Sequence, residues 1–337
     1  MDFRLTGDQR ALKDGTRELL GRLWPAAALR EAVNRDAADR DAVHRDAVDR
    51  AGLRKLWRAL GDAGFFALRV PEESGGLGLG TAEAALVFEE AGRALLPGPL
   101  VATHLAAGTV PGAASGERVV TRVDGGLVTW LDAADQVLGG APAGAVALRS
   151  VDPLTPLHRV PDPPSGSSSG AVSGSGSGAV SGTGASEGSS VGPLAGYHPV
   201  AALLTAAEQL GSAGRTTETA VRYAKEREQF GRPVGAFQAV KHLCAGMLVR
   251  TEIARSAVYA AAVTGDAAEI AGAKLLADDA AVRNARDCLQ VHGGMGFTWE
   301  ADVHLHLKRA WVRALMRPVA AEAEEIQAET LGTGASQ

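Results

Sequence analysis

Apolar residues in the first hundred positions recur at steps of three and four, the spacing of amphipathic helices. Leu12, Leu19, Leu20 and Leu23 make one stripe, introduced by Thr6-Gly7-Asp8-Gln9, polar residues at capping-box spacing. Leu53, Leu56, Trp57, Leu60 and Phe65 make a second. A third runs from Thr81 as cap through Ala85, Val87 and Phe88 to Leu96, where Pro97-Gly98-Pro99 ends it. Between the first two, Arg35, Arg40, Arg45 and Arg50 mark a run with a period of five. That period cannot stay on one face of a helix with about 3.6 residues per turn, so it predicts a solvated, charge-laced helix or an insertion.

Near position 100 the texture changes. A short helix around Ala102 to Ala107 gives way to β-like runs at 119–123 and 127–131, joined by the hairpin signal Asp124-Gly125-Gly126. Val146-Ala147-Leu148 and the stretch from Leu157 to Val160 add two more. Residues 163–193 are almost all Ser, Gly and Ala, and Ser-Gly-Ala-Val-Ser-Gly occurs twice, at 169–174 and 177–182. Such a segment buries too little apolar surface to offset its ordering entropy and reads as a linker. Beyond it the helical period returns. Phe237, Val240, Cys244, Met247, Thr251, Ala254 and Val258 mark one buried face, and similar stretches run over 200–227, 267–291 and 299–331. The predicted organisation is mainly α with a reduced β domain. It comprises a helical domain (1–99), a small β domain (100–162), a Ser/Gly-rich linker (163–193) and a four-helix bundle (194–331).

Composition narrows the function. The chain has 337 residues, 46% hydrophobic and 22% charged, the balance of a soluble protein with room for a large core. A net charge of -5 argues against a general nucleic-acid surface. Apolar runs are interrupted well before about 18 residues, so no membrane span is expected. The first residues, Met1 to Thr6, lack the apolar stretch of a signal peptide, and a cytoplasmic location is expected. Cys244 and Cys288 fall inside helical patterns and read as small buried hydrophobes. His304 and His306, two apart on a helix, face different sides and do not suit a metal; His242 and His292 read as packing or surface residues. The glycines of Pro71 to Gly80 are spaced like a phosphate loop, but helical patterns flank them where a dinucleotide site needs a strand, which predicts a turn between helices.

Two motifs in the bundle carry the chemistry. The first is Tyr223-Ala224-Lys225-Glu226-Arg227-Glu228-Gln229-Phe230-Gly231, followed by Phe237-Gln238. The second is Gln290-Val291-His292-Gly293-Gly294-Met295-Gly296-Phe297. They resemble the acyl-CoA dehydrogenase signatures R-x-x-F-G with a later F-Q, and Q-x-x-G-G-x-G-[FY]. Pro71 to Gly80 is similar to that family's P-E-x-x-G-G-x-G turn. The resemblance implies the acyl-CoA dehydrogenase fold and an FAD cofactor, contacted by Arg227, Gln229, Phe230, Gln238, Gln290, Gly293 and Gly294. Such contacts make physical sense: Arg227 offers a planar guanidinium to a pyrophosphate, with Gln229 beside it and Gln238 placed for the adenine. Gly293 and Gly294 lack Cβ atoms, so their backbone can approach the cofactor with N–H groups free, and Phe297 would start the next helix by packing. In the family this bundle surface meets the flavin bound mainly by a neighbouring subunit, which implies an oligomer.

The family's reaction is α,β-dehydrogenation of an acyl-CoA, in which a glutamate removes the α-proton while hydride leaves the β-carbon for the flavin. The position matching that glutamate after the Gly-Gly motif is Arg317, which cannot act as a base, and a second lineage's position falls near Ala201. Glu208 and Glu322 are the nearest carboxylates, a turn or more away, and Glu322 in its acidic run reads as a surface residue. The T-E-P-x-x-G-S-like stretch of a full β domain has no convincing copy. These departures resemble the short subunit of actinobacterial heteromeric acyl-CoA dehydrogenases, several of which act on steroid side-chain thioesters. The resemblance therefore implies a partner subunit that completes a shared FAD site with a full-length acyl-CoA dehydrogenase chain in a heterotetramer. Its alternatives are a self-sufficient homo-oligomer with an unrecognised base, or a scaffold without flavin. Electron-transfer flavoprotein is the family's usual acceptor.

Overall fold

The computed structural model describes residues 5–38, 50–140, 142–161, 198–298 and 301–334. Most of the period-five run and the whole Ser/Gly-rich segment lie outside the described residues. Thr6 opens α1 (Gly7–Leu23) as expected: its hydroxyl accepts the Gln9 N–H and the Gln9 side chain accepts the Thr6 N–H. Helices α2 (Ala26–Ala38) and α3 (Arg50–Asp62) follow. A 3-10 turn at Glu72–Ser74 then leads to α4 (Thr81–Arg93), so the glycine-rich stretch is a turn between helices. The cap of α4 is Gly80 and not Thr81, with the Glu83 carboxylate accepting the Gly80 N–H at 3.1 Å. Helix α5 (Leu100–Ala106) completes this region.

Five short strands form one sheet: β1 (Val120–Asp124), β2 (Leu127–Thr129), β3 (Gln136–Leu138), β4 (Val146–Leu148) and β5 (Leu157–Arg159). Their order is β3-β1-β2-β5-β4, with β1 and β3 parallel and the other pairs antiparallel. The β1–β2 hairpin turns on Gly125 and Gly126, both at positive φ, as the sequence predicts. Strand β3 was not among the predicted runs.

The C-terminal part contains α6 (Pro199–Glu226), α7 (Gln238–Thr264), α8 (Ala267–His292), α9 (Val303–Ala314) and α10 (Ala320–Gly334). The single last helix expected over 299–331 is therefore two pieces, interrupted around Pro318, which cannot donate a backbone hydrogen bond. A two-stranded hairpin, β6 (Glu228–Gln229) and β7 (Arg232–Pro233), joins α6 to α7.

One apolar cluster runs through α1, α3, α4, α6, α7 and α8, from Trp57, Phe66 and Phe88 to Leu203, Leu210, Val258 and Ile270. Helices α4 and α6 touch backbone to backbone. A Cβ added at Gly211 would lie 1.8 Å from the Glu89 carbonyl oxygen, and one at Gly92 would lie 1.9 Å from that of Glu208. The bundle interior is pinned by Asn284, whose amide donates to the Thr217 and Thr251 hydroxyls and the Met247 carbonyl while its oxygen accepts from Arg250. With every polar atom of its amide engaged, Asn284 costs little to bury.

The reciprocal glycine contact makes a prediction. Gly211→Ala or Gly92→Ala must push α4 off α6, an overpacking cost of about 1–3 kcal/mol. Gly21, inside α1, has nothing within 4 Å of its added Cβ. Gly21→Ala should leave stability unchanged or raise it by up to about 1 kcal/mol. Urea denaturation midpoints of the three variants test the contrast.

Candidate functional site

The two predicted motifs meet at one end of the bundle. Arg227 caps the C-terminus of α6; its N–H donates to the Tyr223 carbonyl at 2.8 Å. Its side chain is exposed and forms no ion pair among the described residues. Phe230 and Gly231 form the two-residue turn of the β6–β7 hairpin, with φ of 55° and 71°. Two consecutive positive φ values are the signature of a type I′ turn, which sequence reasoning did not foresee here because a phenylalanine is strained in that region. Phe230 is 91% exposed, its ring edge-on to Phe237 at 6.0 Å, and the Arg232 guanidinium lies 4.3 Å from the Phe237 ring centre. The Gln229 amide donates to the Glu228 carbonyl at 2.8 Å, so one of its donors is already engaged. At the start of α7, Gln238 and His242 are joined through their side-chain nitrogens at 3.1 Å.

On the neighbouring helix, Gln290, Gly293 and Gly294 are exposed at the end of α8. Gly293 has φ 60° and ψ -141°, a backbone state that side chains disfavour. The expectation of free N–H groups needs one correction: the Gly293 N–H donates to the Gln290 carbonyl. Phe297 ends the 3-10 turn Gly293–Phe297 and the next helix begins only at Val303; the Phe297 side chain lies outside the described residues. The two motifs are bridged by a contact that the sequence did not announce. Tyr223 stacks on His292, ring centres 4.1 Å apart and planes inclined by 25°, and its hydroxyl donates to the His292 carbonyl at 3.4 Å.

The positions matching the family's bases lie elsewhere. Ala201, in the first turn of α6, lines a cavity of about 100 Å³ that also meets Asp124, Thr205, Glu208, Arg309, Arg313 and Met316. Arg317 follows Met316 but turns its guanidinium to Glu322 at 2.6 Å, and its N–H donates to Asp124 at 3.3 Å. Glu322 is thus no simple surface carboxylate: it holds Arg317 and also accepts the Val319 N–H at 3.1 Å. Glu208 is buried and bonded to Arg313 at 2.8 Å. Burial pushes the Glu208 carboxyl up, against the pull of Arg313 and Arg309. Burial pushes the Arg313 guanidinium down to about 10, against the pull of Glu208. A second buried pair joins Arg309 to Asp152. These partners are separated by 105 and 157 positions in the chain, so no local pattern marks them.

The cavity is much smaller than the roughly 300–1,000 Å³ of an ordinary small-molecule site. Along α6, Glu208 and Arg227 are 19 residues apart, about 28 Å at 1.5 Å per residue. The motif-bearing corner and the cavity therefore occupy opposite ends of one rigid helix.

Comparison with known proteins gives the family. Residues 26–117 match the family model described as acyl-CoA dehydrogenase, N-terminal domain, and residues 199–335 match acyl-CoA dehydrogenase, C-terminal domain. The chain is 38% identical over 260 residues to the acyl-CoA dehydrogenase IpdE2 of Mycobacterium tuberculosis, an alignment covering 76% of this chain and 80% of IpdE2. This chain belongs to the acyl-CoA dehydrogenase family. It is also 38% identical over 283 residues to the acyl-CoA dehydrogenase FadE34 of the same organism, covering 76% of this chain but only 39% of FadE34. In fold it is similar to a chain of the ChsE4–ChsE5 complex from Mycobacterium tuberculosis, with a TM-score of 0.70 at 23% identity over 100% of this chain and 99% of that one. Among the described residues no helix is long and apolar enough to cross a membrane.

The family's cofactor is FAD, and the exposed corner fits its diphosphate. An added Cβ at Gly293 or Gly294 would meet nothing within 4 Å, so the backbone there is open to a ligand, and the Arg227 guanidinium stands exposed on the adjacent helix end. The cavity at the other end of α6 has no comparable space for a flavin ring.

The buried polar groups predict a pH dependence. His306 lies 2.7 Å from the Ser212 hydroxyl, and burial among Arg215, Arg313, Arg309 and Arg93 pushes it down to about 3 from 6.5. The unfolded chain therefore binds the proton more tightly, so the stabilisation is complete above about pH 6.5 and is lost progressively as pH falls toward 3. His104, pushed down to about 4 by burial and Arg69, acts with the same sign. Denaturation midpoints should fall between about pH 7 and about pH 5, and less steeply in His306→Gln.

Proposed function

We propose that this chain is a subunit of an FAD-dependent acyl-CoA dehydrogenase that completes a flavin site shared with a longer, catalytic partner chain. The observation that favours a partner other than a second copy is the lack of a carboxylate at Ala201 and Arg317; the separation of the chain's two half-sites favours sharing as such. Arg227, Gln229, Phe230, Gln238, Gln290, Gly293 and Gly294 gather at one exposed corner, about 28 Å along α6 from the cavity that the family would use for chemistry. A flavin whose diphosphate rests on this corner cannot place its ring in this chain's own cavity. The ring must be housed by another chain.

FAD, when bound, accepts the hydride that leaves the substrate's β-carbon. The residues of this chain act on the other end of that cofactor. Arg227 meets diphosphate charge with a charge-assisted, two-pronged donor, and the open backbone of Gly293–Gly294 lets the diphosphate approach closely. Gln238, at the first turn of α7, addresses the adenine with its amide. Phe230, held outward on the hairpin tip, supplies apolar surface that assembly covers.

Neither family position supplies the proton-abstracting group. Ala201 has no ionisable group, Arg317 is paired with Glu322, and Glu208 is locked to Arg313. The base therefore belongs to the partner, and the substrate is an acyl-CoA bound mainly by that chain. Similarity in fold to a chain of the ChsE4–ChsE5 complex favours such an arrangement.

Two outcomes test this. Expressed alone, the chain should carry no yellow flavin absorbance and no desaturase activity; robust activity from the purified single chain would sink the proposal. Co-expressed with its catalytic partner, the complex should bind FAD, and Arg227→Ala should weaken FAD retention by about tenfold or more, as expected for a lost charge-assisted hydrogen bond. Glu208→Gln should leave the proton-abstraction step of that complex unchanged, measured as the primary isotope effect on an α-deuterated acyl-CoA.

A further inference from the structure

Tyr223 touches both halves of the flavin-contact corner although it is not among the residues expected to meet FAD. Its backbone carbonyl accepts the Arg227 N–H at 2.8 Å, which fixes where α6 ends and where the Arg227 side chain departs. Its ring stacks on His292 at 4.1 Å, and its hydroxyl donates to the His292 carbonyl at 3.4 Å. His292 is the last residue of α8 and the cap of the 3-10 turn Gly293–Phe297, so Tyr223 bonds the carbonyl at the junction of the two. The His292 ring is fixed in turn, with Nδ1 2.8 Å from the Cys288 carbonyl one turn back. That contact requires the proton on Nδ1, since only a donor faces a carbonyl at this distance.

The next residue is Gly293, whose φ of 60° and ψ of -141° turn the chain into the exposed Gly-Gly segment. A glycine pair holds such a turn weakly by itself, because it has many other backbone states open to it. The Gly293 N–H bond to Gln290 and the 3-10 turn hold it from within, and a contact from outside holds it further. The Tyr223–His292 stack is placed to do so, since it clamps the residue immediately before the turn to the helix that carries Arg227.

We infer that Tyr223, acting with His292, is a positioning residue for the flavin diphosphate: it sets the Gly293–Gly294 backbone at a fixed place relative to the Arg227 guanidinium. The inference rests on the flavin-sharing function proposed above. Two donor groups on separate helix ends hold one diphosphate well only if their spacing is set before binding, and a pre-set spacing avoids ordering them at the moment of binding. Neither ring needs to touch the cofactor.

The test measures FAD dissociation from the complex of this chain with its catalytic partner, found by co-expressing the chain in turn with each longer acyl-CoA dehydrogenase of its own genome. Mass by light scattering and melting temperature are recorded alongside. Tyr223→Leu and His292→Ala should each raise the FAD dissociation constant about tenfold while the complex keeps its mass and its melting temperature, the pattern of lost preorganisation. His292→Phe, which restores a stacking partner, should stay within about twofold of the parent. Tyr223→Phe, which keeps the stack and removes only the hydroxyl, should fall between the two.

Full FAD affinity in Tyr223→Leu, while Arg227→Ala loses flavin, overturns the positioning role and leaves the flavin site standing. Loss of the complex itself in Tyr223→Leu also overturns it, because the residue would then serve docking. Failure of His292→Phe to rescue shows that stacking is not the device. Unchanged flavin content in Arg227→Ala, or no flavin complex with any longer chain, overturns the flavin reading and this inference with it.

Discussion

The contact of α4 with α6 through two glycines is the constraint on which the remaining architecture rests. Gly92 and Gly211 remove the side chains that would hold the helices apart, so each backbone rests on the other's carbonyls, at Glu208 and Glu89. Carboxylates that flank the crossing are drawn into the interior and must be neutralised there. Glu89 meets Lys13 of α1 and the Tyr259 hydroxyl of α7, both at 2.7 Å; Glu90 receives two hydrogen bonds from Arg17; Glu208 takes Arg313 of α9. A close crossing between two helices thus calls for polar or charged partners on three others. The N-terminal helices are tied to the bundle by ion pairs as well as by apolar packing.

Helix α6 turns this packing into a division of labour. Its first half is buried on nearly every face and supplies the cavity wall; its last turns emerge into solvent and carry Tyr223 and Arg227. A 28-residue helix is about 42 Å long, and the packing against α4, α7 and α8 keeps it rigid. In the proposed assembly, one end of this rod faces the chain's own small cavity and the other faces the partner chain. Loss of a base at Ala201 and Arg317 then removes nothing that the far end needs. The Arg317–Glu322 pair and the Arg317–Asp124 hydrogen bond close the chain's C-terminal part onto the β1–β2 hairpin.

Much of the fold was legible because it follows from local period. The apolar stripes marked the long helices, Thr6 and Gln9 marked the start of α1, and Asp124-Gly125-Gly126 marked the hairpin. What the period could not reveal was set by distance or by strain. Strand β3 is held by its parallel pairing with β1, a long-range partner that no local pattern shows. The β6–β7 hairpin hides because its turn places Phe230, a poor residue for positive φ, where Asn or Gly is usual. The break between α9 and α10 was hidden by the apolar spacing, which continues across Pro318. Of the candidate site, the residue types were readable one by one. The Tyr223–His292 stack that joins them was not, since its partners stand 69 positions apart and each looks like ordinary packing.

Phe230 carries a consequence for the life of the chain before assembly. An aromatic ring held almost wholly in solvent, on a hairpin that strains to present it, is apolar surface that the proposed assembly would cover. A copy made in excess of its partner would expose that ring to chaperones, proteases and other copies of itself. In the proposed assembly, the abundance of such a chain would be tied to that of the chain that shields the ring.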